Sequence, residues 1–279
     1  MNKFSKIVSM SILLSGALYA ASNEQNIVDF EKKRISQNPN VQVKDIKIET
    51  KKELPLAGWS GYILNVQADV QGKSINAKDI LFSDGKYIAL ELIDSETGKS
   101  LKDLVTPNLT EKYYDKSKLI AGNHNAKDKI VVFSDPLCPF CMEYIPEVIN
   151  YVNKNSDSIA LYYYAFPLVQ IHPASEALSK IIEAAKNKGI KNIELKAYET
   201  DWEAYFSPKE NDEKKILEAF NKELKTNIKL EEIASKDINE KLSKDMSMGE
   251  EVMVTGTPTI FVNGVKDTTR ELYKTLGKK

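Results

Sequence analysis

The stretch FSDPLCPFC, residues 133–141, holds Cys138 and Cys141, the two cysteines of the 279-residue chain. The run KIVVFSD that leads into it, residues 129–135, is apolar and rich in β-branched residues, and reads as a buried strand ending at Asp135. After the turn at Pro136-Leu137, Pro139 suits the first position of a helix, where its missing N–H costs nothing, so a helix is predicted from Pro139 to about Asn155. Cys138 then stands at the helix N-terminus, where unpaired backbone N–H groups and the helix dipole favour an anion. A thiol that ordinarily ionises near about 8.5 is shifted down by roughly 1 to 5 units in such a position, which marks Cys138 as the nucleophile. Cys141 lies one turn further on, about 5–6 Å away by Cβ, and a modest distortion brings it to the roughly 3.8 Å of a disulfide, so it can resolve a mixed disulfide formed at Cys138. Phe140 between them adds no charge.

Two cysteines in so long a chain call for a reason, and the N-terminus supplies the setting. MNKFSKIVSMSILLSGALYAAS opens with Lys3 and Lys6, continues with an apolar run from Ile7 to Leu18 and ends in small residues. That is the layout of a signal peptide over residues 1–21, cleaved near residue 20 or 21. Its apolar run falls short of the roughly 20 residues a membrane-spanning helix needs. Export implies an oxidising compartment. A bridge between residues 138 and 141 closes a tiny loop and removes little unfolded-state entropy, so stapling is a weak reason for the pair. A structural zinc site needs four ligands, and the chain's histidines, His124 and His172, stand without partners at ligand spacing, so no metal is expected. Two inert buried cysteines remain the bland alternative to thiol chemistry.

Without Lys3 and Lys6 the chain carries 37 basic and 40 acidic residues, a net charge of −3 with the signs interspersed, which gives no footprint for nucleic acid. The roughly 258 residues left after cleavage exceed one typical core and suggest two domains. In residues 22–96, a short helix over 26–36 precedes the alternating runs VQVKDIKIE and GYILNVQADV, and Asp84-Gly85 between ILFS and KYIALELI signals a hairpin. This small α+β module has a thin core and would gain from pairing with a copy of itself. Residues 97–126 read as a partly helical linker. From residue 127 to 279 the order is strand, helix, the strand SIALYYYAF, at least three helical segments across about 173–248, the turn and strand VTGTPTIFVNGV, and a closing helix near Thr268 to Leu276. Such alternation makes an α/β layer arrangement. Tyr162 to Tyr164 are expected to alternate between core and surface, and His172 to pack or cap before Pro173.

FSDPLCPFC together with VTGTPTIFVNG resembles the thioredoxin-fold disulfide oxidoreductases, and among them the periplasmic dimeric DsbC and DsbG type. Pro146, eight residues after Cys138, stands where that family has the kinking proline of its active-site helix, and Thr257-Pro258 where it has its cis-proline turn. The match is good over residues 128–167 and 252–276; the N-terminal module is similar in layout to the family's cystatin-like dimerisation domain. Two departures stand out. Val132 occupies the position of thioredoxin's buried carboxylate, so proton transfer needs water or another group, and Pro139-Phe140 replaces the isomerases' Gly-Tyr centre.

The resemblance implies a thioredoxin fold with a helical insertion and an enzyme that exchanges dithiol and disulfide with cysteine-containing exported proteins. Cys138 and Cys141 would be its redox pair, Thr257 and Pro258 would hold the substrate strand, and Pro139, Phe140 and Pro146 would shape the active-site helix. No cofactor is needed. A homodimer and a membrane redox partner, a DsbD-like reductant or a DsbB-like oxidant, are implied as well. The dimer module favours isomerase or reductase; a disulfide oxidase of the DsbA kind, or a chaperone with secondary thiol chemistry, remains open.

Overall fold

Residues 23–277 are described by a computed structural model; the leader expected over residues 1–21 lies outside them. The chain divides into two units, one ending at Thr106 and the other starting at Pro107.

In the first unit, helix α1 (residues 23–35) is followed by four antiparallel strands in the order β1 (Val41–Glu53), β2 (Ser60–Val70), β3 (Lys73–Ser83) and β4 (Ile88–Ala89). β2 is the near-continuously buried strand because it is central, whereas β1 at the edge alternates. Ile27 of α1 packs with Ile46, Tyr62, Leu64, Val66 and Leu81 on one face of the sheet. Phe82 and Ile63 are buried as well, and Val105 of the short helix α2 (Lys102–Val105) closes on Gly61, where a Cβ would collide with it. Glu31, fully buried on α1, is held by the Arg34 guanidinium, which also reaches Asp79 of β3. The Asp84-Gly85 signal holds: Asp84 Oδ1 accepts the N–H groups of Lys86 and Tyr87 between β3 and β4. The run after it gives only a two-residue strand at Ile88–Ala89 rather than the full length of KYIALELI.

The second unit has a five-stranded sheet in the order β5 (Leu119–Gly122), β7 (Ile159–Ala165), β6 (Asp128–Ser134), β8 (Thr259–Val262) and β9 (Val265–Lys266). β6 and β7 are parallel, as a strand–helix–strand connection through α3 (Pro139–Lys154) requires, and the other pairings are antiparallel. Residues 107–126, expected to be linker, belong to this unit: Leu109 donates its N–H to the Gly264 carbonyl at 2.8 Å, Tyr113 is buried, and β5 joins the sheet. At the end of β5, Gly122 has φ +77° and a Cβ there would sit 1.9 Å from the Ile159 carbonyl oxygen, so only glycine permits the approach.

Both faces of the sheet are covered. Ile130, Val132, Leu161 and Tyr163 pack under α3, while Val131, Phe133, Tyr162 and Tyr164 face a second core with Tyr113 and Met248. Tyr162, Tyr163 and Tyr164 are therefore all buried, where alternation predicted one face in water. The insertion consists of α4 (Ala174–Asn187), α5 (Ile193–Glu199), α6 (Glu213–Leu224), α7 (Leu230–Ile233) and α8 (Lys236–Glu251). It has a core of its own around Leu178, Ile182 and Trp202, whose ring stacks on Phe220 at 5.6 Å. The closing helix near Thr268 to Leu276 is a single 3-10 turn, Leu272–Thr275. Buried Asp267 accepts from Thr269 and from the N–H of Leu272, and these bonds bend the chain where a regular helix would begin.

Candidate active site

β6 delivers Ser134 and Asp135 to the end of the sheet, the chain turns, and α3 begins at Pro139 with Cys138 as its N-cap residue in extended conformation, φ −74° and ψ 121°. Asp135 fixes the turn. Its carboxylate, fully buried, accepts the N–H of Leu137 and of Leu168, both at 2.8 Å, and lies 3.1 Å from Nδ1 of His172. His172, read from sequence as a packing residue, thus braces the loop that carries the first cysteine.

Cys138 and Cys141 are both free thiols, buried against each other and against the turn that precedes β8. The Thr257–Pro258 peptide bond in that turn is cis, and in its protonated form Cys138 Sγ donates to the Thr257 carbonyl at 3.4 Å. The structure thus brings together Cys138, Cys141, Thr257 and Pro258 from segments more than a hundred residues apart in sequence. Pro139 stands at the first turn of α3 and Pro146 inside it, while Phe140 is 64% exposed at the mouth, with the Arg270 guanidinium over its ring at 5.9 Å.

The two thiols are driven apart in acidity. Cys138 is lowered from about 9 to about 5, chiefly by a hydrogen bond from the Cys141 thiol, then by the Thr257 side chain and the backbone N–H groups of Cys141 and Phe140, against an opposing effect of burial. Sequence reasoning credited the helix terminus with most of this; its N–H groups contribute, but the second thiol leads. Cys141, with no exposed surface, is pushed up by burial and by the hydrogen bond and negative charge of Cys138. One sulfur is then a stable thiolate and its neighbour a protonated thiol, the division of labour that dithiol exchange requires.

Val132, in the position of thioredoxin's buried carboxylate, lies fully inside the core and offers no proton acceptor. Polar groups that sequence reasoning did not single out stand behind Cys141 instead. Tyr198 of α5 donates to Ser134 Oγ, at the end of β6, at 2.7 Å, and the Ser134 hydroxyl favours the charged form of the Cys141 sulfur. Tyr198 comes from the insertion, so its approach left no local signal. On α3, Glu147 pairs with Lys274 at 3.1 Å and Glu143 is exposed. Among the described residues, no three histidine, cysteine or acidic side chains gather as a metal would require.

The family model described as thioredoxin matches residues 115–278. A "probable disulfide bond formation protein D" of Bacillus cereus is 26% identical over 160 residues, covering 51% of this chain and 68% of that protein. Among solved structures, oxidised BdbD of Bacillus subtilis is similar at a TM-score of 0.48 and 18% identity, covering 61% of this chain and 91% of its own. The catalytic domain of Proteus mirabilis ScsC is similar at a TM-score of 0.45 and 18% identity, over 56% of this chain and 82% of its own. The chain belongs to the thioredoxin family and is a thiol:disulfide oxidoreductase of the Dsb type.

Proposed function

We propose that this oxidoreductase is exported and donates the Cys138–Cys141 disulfide to cysteines of other exported proteins. The observation that carries the direction is the acidity of Cys138, lowered to about 5. A thiolate stabilised this far favours the reduced pair, and a pair whose reduced form is favoured is an oxidant. The name of the Bacillus cereus relative points the same way. In this reading a substrate thiolate attacks Cys138 Sγ, the bond to Cys141 breaks, and a second substrate thiolate displaces Cys138 to leave a disulfide in the substrate. Thr257 and Pro258 border Cys138 and would hold the substrate backbone beside it; Pro139 and Pro146 set the course of α3, and exposed Phe140 would meet the substrate. A membrane partner would recycle the pair.

A second reading, a dimeric isomerase or reductase of the DsbC and DsbG type, rests on the first unit. Its four-stranded sheet comes with Tyr87, Leu90 and Ile93 exposed at 58%, 45% and 56%, side chains suited to burial against a second copy. Equilibration of the Cys138–Cys141 pair with glutathione redox buffers decides between donor and reductant. A potential between about −200 and −120 mV is expected of the donor; a value near the roughly −270 mV of thioredoxin overturns it. Refolding of scrambled ribonuclease by a dimer would then mark the isomerase.

A further inference from the structure

Cys141 presents a problem that Cys138 does not. It has no exposed surface, so each time the disulfide opens or closes a proton must reach or leave a sulfur with no access to solvent. Val132 supplies no carboxylate for this. Tyr198 OH donates to Ser134 Oγ at 2.7 Å and Tyr163 OH lies 3.1 Å from Tyr198 OH, while Tyr198 and Cys141 share one buried core and the Ser134 hydroxyl favours the charged form of Cys141. Ser134, Tyr198 and Tyr163 are each at most 5% exposed, so the run of hydroxyls is shut off from water along its length. Tyr163 also lines a cavity of about 20 Å³ beside α4, α5 and α8, room for a single water. Charged groups of Lys118, Glu183, Glu194, Lys241 and Asp245 share that cavity, and Ser179, whose buried hydroxyl has no protein partner, completes its polar wall.

We propose that Ser134, Tyr198 and Tyr163 form a proton wire between the Cys141 sulfur and this polar cavity, in place of a buried carboxylate. The proposal rests on the reading of Cys138 and Cys141 as an exchanging pair. When a substrate thiolate attacks Cys138 Sγ, the S–S bond to Cys141 breaks and its electron pair passes to Cys141 Sγ; the substrate sulfur is oxidised into the mixed disulfide and Cys141 is reduced to a thiolate. Ser134 gives its hydroxyl proton to that thiolate and takes one from Tyr198, which takes one from Tyr163, which takes one from cavity water that is reprotonated from bulk solvent. The bond from Tyr198 to Ser134 already points in the direction this inward transfer needs. When Cys141 attacks a mixed disulfide and expels the other thiolate, the hydroxyls turn and the proton leaves by the same path. Both tyrosines are held far above their ordinary ionisation by burial, so they pass protons as neutral hydroxyls rather than storing charge.

The test uses the full chain in its reduced form and a nitrobenzoate disulfide reagent. The first coloured release reports attack by Cys138; the second reports Cys141 closing the disulfide. Tyr198→Phe keeps the ring that packs on Tyr163 and removes only the hydroxyl. It should lower the rate of the second release relative to the first at least about tenfold, and Ser134→Ala should do the same. Tyr163→Phe, cutting the wire further out, should have a smaller effect of the same kind. In the wild type the second release should slow in deuterium oxide more than the first, and Tyr198→Phe should change that isotope effect, which a loss of packing alone would not. An unchanged ratio of the two releases in both Tyr198→Phe and Ser134→Ala, or equal isotope effects on both releases in the wild type, overturns the wire while leaving the exchange reading intact. Absence of the second release in the wild type overturns the exchange reading itself, and the wire with it.

Discussion

At the scale of single residues, the chemistry depends on a proton held by Cys141 and withheld from Cys138. Alkylation of Cys138 in the reduced protein should rise with pH and level off, with its midpoint at about 5. Replacing Cys141 with alanine removes the leading cause of that acidity, so the midpoint should move upward, readable from iodoacetamide rates between pH 4 and about 9. The same shift sets stability. The folded value lies below the unfolded one, so the stabilisation of the reduced protein is lost as pH falls through about 5 and grows as pH rises toward the ordinary thiol range. Cys141, raised in the fold, works the other way only where the unfolded thiol begins to ionise. The melting temperature of the reduced protein should therefore gain on that of the oxidised protein from about pH 5 to about pH 8, by calorimetry at matched concentrations. A constant gap across that range would refute the assignment of Cys138 as the thiolate.

At the scale of elements, the insertion is tied to the sheet by a buried ion pair. Lys118, just before β5, lies 2.6 Å from Asp245 of α8, whose carboxylate also accepts the N–H of Ala165 on β7. Asp245 is 4% exposed and burial pushes its carboxyl above the usual carboxylate range, so losing its cation leaves a charge with little water around it. Lys118→Met should cost about 3–5 kcal/mol in urea denaturation. Trp202→Ala, opening a hole between Phe206 and Phe220 in the helical core, should cost about 3–5 kcal/mol. The strand β6, the helix α3 and the turn before β8 were legible because each carries a local signal: a β-branched run, a proline at the first helical position, a Gly-Thr-Pro turn. The tyrosines of β7 and the turn Leu272–Thr275 were not. Burial of both sheet faces and the side chain of Asp267 decide them, and neither shows in the spacing of nearby residues.

At the scale of the whole molecule, each unit has its own core, one centred on Ile27, Tyr62 and Leu64, the others on the sheet and the helical insertion. Calorimetry of the full chain should resolve two transitions, and Cys138→Ala should move only the one that belongs to the unit from Pro107 onward. If the first unit pairs with a copy of itself, sedimentation should give a dimer, with the lower transition dependent on concentration. A monomer at all concentrations would remove the dimeric isomerase reading and leave the donor reading in place.

The sequence FSDPLCPFC by itself determined the chemistry of the first thiol: a strand, a tight turn and a helix start place one cysteine at the helix N-terminus and the other a turn further on. Those are local consequences of backbone geometry, and local geometry can be read from neighbours. Only the tertiary structure decided how strongly the pair is polarised and how a buried sulfur meets its proton. Thr257 reaches Cys138 from more than a hundred residues away, and Tyr198 reaches Ser134 from the insertion. Burial and long-range hydrogen bonds set these energies, and both are properties of the packed chain rather than of any segment of it.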